Sequence, residues 1–140
     1  MKAKILIVTD NAAAQTSLAE ILNAKGYQTL HTESSDAFRM LAESPSHLIL
    51  VHDCFAARSS QRTDARRRTL EALTDLDPFI PVLLIARPQE DLDYPTTMLA
   101  DLILTEPVTA TALLGGIELL LSETLLERSQ RKSGHIALFR

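Results

Sequence analysis

Four aliphatic runs punctuate the chain: Ile5-Leu6-Ile7-Val8, Leu48-Ile49-Leu50-Val51, Val82-Leu83-Leu84-Ile85 and Leu102-Ile103-Leu104. Each is apolar at every position instead of at alternate ones. That is the pattern of strands covered on both faces, as in the parallel sheet of an α/β protein. A weaker strand, Tyr27 to His31, follows Gly26. The intervening segments read as helices. Asn11 to Lys25 carries Ala14, Leu18, Ile21 and Leu22 at helical spacing. Asp10 or Asn11 can cap its start, and Gly26 stands where a helix end favours a left-handed residue. Ser35 to Glu43 sets Phe38, Leu41 and Ala42 on one face, and a third helix runs from about Thr63 to Asp75 with Leu70, Leu73 and Leu76 apolar. Two prolines and several acidic side chains between Arg87 and Pro95 leave room only for a short helix near Thr96 to Ala100. A last helix starts after Pro107 and continues to about Gln130. Five strands alternating with helices predict an α/β fold with a (βα)5 doubly wound, five-stranded parallel sheet and right-handed crossovers.

Composition narrows the class. The chain has 140 residues, 46% of them hydrophobic, which fits one domain with a packed core. A formal charge of −4 argues against direct nucleic-acid binding. The lone Cys54 cannot form an internal disulfide. No apolar run approaches the ~20 residues of a membrane span, and Met1-Lys2 leads straight into a strand, so a cytoplasmic location is expected. Residues 1–126 read as the domain. Residues 127–140 read as a linker that is polar to Gly134 and apolar again at His135-Ile136-Ala137-Leu138-Phe139-Arg140, running outward to a further domain.

In open parallel sheets chemistry collects at the C-terminal strand ends. Here those ends supply Thr9-Asp10, His52-Asp53, Ala86-Arg87 and Thr105-Glu106-Pro107. There is no GxGxxG after the first strand, no GxxxxGK[ST] and no GxSxG, so nucleotide and nucleophile-elbow sites are unsupported and no catalytic residue is assigned. His31, His47 and His135 show no ligand spacing with His52 or Cys54. Arg58, Arg62 and Arg66 recur every four residues beside Arg67 and Arg68, a basic edge that suits solvent or an acidic protein surface. Glu106 has Arg87 as a possible partner. On the last helix, the leucines exceed the ~100° stripe that sheet packing needs. Leu114, Ile117, Leu121 and Leu125 are therefore candidate interface residues, for a homodimer or for a following domain. Gly115-Gly116 weakens that helix by roughly 1 kcal/mol per glycine, which close backbone packing offsets.

The arrangement resembles the receiver domain of bacterial response regulators (the flavodoxin/CheY-like fold) over residues 4–122. The resemblance is carried by Lys4-Ile5-Leu6-Ile7-Val8-Thr9-Asp10-Asn11, His47 to Asp53, Ile80 to Ala86 and Leu102-Ile103-Leu104-Thr105-Glu106-Pro107. It implies a pocket in which an aspartate accepts a phosphoryl group, an acidic pair helps to hold Mg²⁺, a Thr or Ser bonds the phosphoryl oxygens and a Lys neutralises them. In this chain the acidic pair becomes Thr9-Asp10, the hydroxyl position Ala86 and the Lys position Glu106, with Pro107 retained. The acceptor position falls on His52 or on Asp53. Asp10 and Asp53 are the only carboxylates left to a metal, so no metal is expected. A lysine ammonium ~4 Å from a phosphoryl oxygen contributes about 4 kcal/mol at an effective dielectric of ~20, and Glu106 reverses that sign. The pocket thus reads as a degenerate phosphorylation site and the domain as a pseudo-receiver.

The Leu138-Phe139-Arg140 ending and the late Glu-Pro are similar to the N-terminal domain of the sigma-54-dependent flagellar master activators of the FleQ/FlrA type. That resemblance implies a following AAA+ ATPase domain and a DNA-binding domain. It also implies control through cyclic-di-GMP and a FleN/FlhG-type partner ATPase. Arg140 would then contact cyclic-di-GMP only together with the ATPase domain, and cyclic-di-GMP and ATP belong to that domain rather than to this one. The alternatives are a working receiver that uses Asp53 and Mg²⁺, and a free-standing receiver-like adaptor.

Overall fold

The computed structural model describes residues 3–52, 59–88, 94–134 and 138–139, with backbone alone at 59–64, 94–95, 133–134 and 138–139. The chain alternates β1 (Lys4–Val8), α1 (Ala12–Ala24), β2 (Gln28–Thr32), α2 (Ala37–Glu43), β3 (Leu48–His52), α3 (Ser59–Leu76) and β4 (Val82–Ala86). It continues with α4 (Tyr94–Leu99), β5 (Leu102–Thr105), α5 (Ala110–Leu121), α6 (Leu125–Gly134) and β6 (Leu138–Phe139). Among the described residues the strands form one parallel sheet in the order β2-β1-β3-β4-β5-β6. The expected five-stranded (βα)5 sheet is present, with one short strand added at the β5 edge.

Why the runs are apolar at every position is now visible. Successive side chains of a strand point to opposite faces. Leu6 and Val8 of β1 and Ile49 and Val51 of β3 join Leu41, Leu70 and Leu73 in one core. Ile5, Ile7, Leu48 and Leu50 join Leu18, Leu22, Leu113 and Ile117 in the other. The two layers are α2–α4 on one side and α1 with α5 on the other.

Local signals set the boundaries. Asn11 caps α1 by accepting from the Ala14 amide at 3.1 Å, and Gly26 follows its end at φ 91°. Thr109 caps α5 in the same way, through the Ala112 amide. The second helix begins later than the sequence predicts, because Ser34–Asp36 forms a 3-10 turn first, and Phe38 is half exposed instead of packed. The third begins earlier, at Ser59.

The largest departure lies after α5. The single helix expected to reach Gln130 is two helices that break at Ser122–Thr124. Thr124 and Glu127 form a capping box: the Thr124 amide donates to Glu127 Oε1 at 2.9 Å and the Glu127 amide to Thr124 Oγ1 at 3.1 Å. Nor does 127–134 run outward. Arg131 donates to Asp101 Oδ1 at 2.6 Å and to both oxygens of Glu123 at 2.6 and 2.8 Å. Lys132 donates to the Ile80 carbonyl at 2.8 Å and lies 3.1 Å from Asp101 Oδ2, which also accepts from the Val82 amide at 2.6 Å. Hydrogen bonds donated to Glu123 and then to Asp101 hold the Arg131 guanidinium well above its usual pKa, so it stays charged. These contacts lay α6 against the N-terminal ends of β4 and β5. From there β6 pairs with Leu102 and Ile103.

Candidate functional site

At the C-terminal strand ends, Thr9 is buried. Its amide donates to the Thr32 carbonyl at 3.1 Å, and its Oγ1 accepts from the Asn11 amide at 3.1 Å. Asp10 does not cap α1. Its two carboxylate oxygens accept from the Ser34 amide and hydroxyl, both at 2.8 Å, which ties the end of β1 to the turn after β2. Among the described residues no group of three or more His, Cys, Asp and Glu stands together as a metal site.

His52 is the last residue of β3, beside Ile85 of β4. Its Nε2 lies 2.5 Å from Glu106 Oε1 and donates to the carboxylate, joining the end of β3 to the turn after β5. The imidazole is largely covered, at 13% exposure, while the Glu106 side chain keeps 34%. Of the two candidates for the acceptor slot, His52 therefore reaches toward the Glu106 position. Asp53, like Cys54 and Arg58, lies outside the described residues. Ala86 is buried at the end of β4, and its carbonyl accepts from the Glu106 amide at 2.9 Å, which fixes the backbone where the carboxylate starts. The Glu106–Pro107 bond is cis. Among the described residues the ion pair of Glu106 is with His52, where the sequence offered Arg87.

Thr9, His52, Ala86 and Glu106 thus gather at one end of the sheet. A phosphoryl group placed there finds no hydroxyl at Ala86 and a carboxylate at Glu106, and the His52 Nε2 is engaged by that carboxylate. Beside the pair opens a cleft of about 470 Å³, walled by α1 and the turn after β5, with His52 and Glu106 in its lining.

The interface candidates separate. Ile117 is fully buried between α5 and the sheet and is not on an outer face, a correction to the sequence reading. Leu114 and Leu121 pack partly against the same core, whereas Leu125 stands 68% exposed beside an equally exposed Leu126. The basic edge is also revised. Arg66 is 4% exposed, within the fold instead of on a solvated face, and Arg67 approaches Glu71 at 3.7 Å. The side chain of Arg62, together with His135 and Arg140, lies outside the description. The Asp101–Arg131–Glu123 cluster was missed, because groups 30 and 22 positions apart leave no periodic trace in the sequence.

A family model described as flagellar regulatory protein FleQ matches residues 4–131. Solved structures share the fold. The chemotaxis protein CheY4 of Vibrio cholerae is 16% identical with a TM-score of 0.72, over 86% of this chain and 100% of that one. The signal receiver domain of a histidine kinase from Syntrophus aciditrophicus is 29% identical with a TM-score of 0.69, over 86% and 90%. NtrX of Brucella abortus is 19% identical with a TM-score of 0.71, and there the match covers 96% of this chain but 29% of NtrX. No curated protein matches the chain. No helix among the described residues is long and apolar enough to cross a membrane.

Proposed function

The chain belongs to the family of the flagellar regulatory protein FleQ, and from that membership we propose that it is a pseudo-receiver. In this reading it is the regulatory, non-catalytic N-terminal domain of a cytoplasmic sigma-54-dependent activator of flagellar genes. It controls a following AAA+ domain without aspartate phosphorylation. One observation carries the reading: the position that is Lys in working receivers is Glu106, and its carboxylate is bonded to His52 at 2.5 Å. The link that a phosphoryl group makes between the third-strand end and the fifth-strand turn is made here by two side chains. The state of the domain is then set by partners. Those are a second copy docked through the exposed Leu125 and Leu126, the following domains with their cyclic-di-GMP and ATP, and a FleN/FlhG-type ATPase.

The test is a beryllofluoride and Mg²⁺ titration followed by NMR, with acetyl phosphate incubation followed by intact mass. The expected result is an unchanged spectrum and an unchanged mass. Shifts around His52 and Glu106 that vanish in Asp53→Asn would overturn the reading in favour of a working phospho-acceptor.

A further inference from the structure

We propose that the cleft beside Glu106 is a binding site for a small organic cation, an ammonium or amidinium head on an apolar body. The inference shares Glu106 with the functional reading above but does not depend on any following domain. Its volume of about 470 Å³ lies within the roughly 300–1,000 Å³ of small-molecule pockets. The walls are chiefly apolar. Ser17, Leu18 and Ile21 come from one face of α1, and Pro107 and Val108 from the turn after β5.

The polar end is a built carboxylate. His52 Nε2 fixes Glu106 Oε1, while Oε2 makes no hydrogen bond or ion pair with any described residue. At 34% exposure the group is reachable yet partly shielded from water, so a cation there gains a charge-assisted hydrogen bond at reduced dielectric. An anion of the same shape meets repulsion, and a neutral analogue gains only the apolar contacts. The change that makes the pocket unsuitable for a phosphoryl group therefore makes it suitable for the opposite charge.

The experiment titrates the isotope-labelled chain with hexylammonium, 1-hexanol and hexanoate. The expected result is saturable shifts at Ile21, Glu106 and Val108, with hexylammonium at least tenfold tighter than 1-hexanol and hexanoate weakest. Glu106→Gln is expected to bring amine and alcohol within about twofold while leaving the alcohol unchanged. Ser17→Trp, at an exposed position on the cleft wall, is expected to abolish both in an otherwise native spectrum. Equal binding of amine and alcohol, a preference that survives Glu106→Gln, or shifts mapping elsewhere overturns the proposal. Beryllofluoride in parallel samples keeps the two readings apart. A response to it with intact amine selectivity overturns only the functional reading, and silence to both overturns only the cation site.

Discussion

A carboxylate's contribution depends on how much water it has left, and the chain holds two instructive cases. Glu106 keeps a third of its exposure and, among the described residues, one side-chain partner, so removing that partner lets solvent take over. His52→Ala is expected to cost about 1 kcal/mol, the range of one partly solvated hydrogen bond. Asp101 has a side chain only 5% exposed and serves Arg131, Lys132 and the Val82 amide together. Its loss leaves Arg131 with Glu123 alone and Lys132 with the Ile80 carbonyl, and takes the side-chain acceptor from the Val82 amide in a covered place. Asp101→Ala is therefore expected to cost about 3–5 kcal/mol. Urea unfolding of both variants gives the comparison, and equal losses would mean that Asp101 is no hub. The sequence made the less costly residue the conspicuous one, since Glu106 sits at a strand end beside Pro107. The importance of Asp101 comes from partners far away in the chain.

Helix α5 shows how neighbouring glycines acquire different meanings once packed. A Cβ at Gly116 would lie 2.6 Å from Leu102 Cδ2, and Leu102 is itself fully buried in a packed core. At Gly115 a Cβ meets nothing within 4 Å. Gly115→Ala is expected to stabilise by about 1 kcal/mol through helix propensity. Gly116→Ala is expected to destabilise by about 1–2 kcal/mol, because overpacking exceeds the same propensity gain. Thermal melts of the two variants decide it. The sequence offered the pair as one unit, and only one member is needed for close approach. The junction with α6 carries a pH signature. The Thr124 amide, and then its side chain, bond Glu127 and hold its carboxyl below the ordinary 4.5. A lowered carboxyl stabilises the fold above its unfolded value and loses that contribution as pH falls through the lower folded value. The Thr124 amide resonance is expected to titrate below pH 4.5, and to stop titrating in Glu127→Gln. The strands were legible because burial on both faces leaves unbroken aliphatic runs. The break at Ser122–Thr124 was also present, as a Thr-x-x-Glu capping box, but leucines on both sides continued the helical period and hid it. The strand at Leu138–Phe139 left no trace, since two residues carry no period.

For the molecule as a whole, the placement of α6 decides which surfaces remain for a second copy. Beside Leu102 and Ile103 the β5 edge is occupied by β6, so pairing of sheets between copies is blocked there. Ile117 is sealed in the core and Leu121 packs partly against it, so along α5 and α6 the most exposed apolar pair among the described residues is Leu125 with Leu126, each 68% exposed. They stand on a helix fixed at its other end by Asp101 and Glu123, so the pair is presented on a rigid support instead of a fraying tail. Replacing both by Glu is expected to turn a concentration-dependent dimer into a monomer while leaving the unfolding free energy, compared at a dilution where both chains are monomeric, within about 0.5 kcal/mol, as for other exposed positions. Leu121→Glu is expected to lower the midpoint itself, because it places a charge against the core. Sedimentation at several concentrations alongside urea unfolding separates the two effects. A wild-type chain that stays monomeric at every concentration would remove the dimer. A double variant that still dimerises would move the contact to another face. Salt adds an independent check: association through leucines strengthens in sulfate, where charge-mediated association weakens by screening.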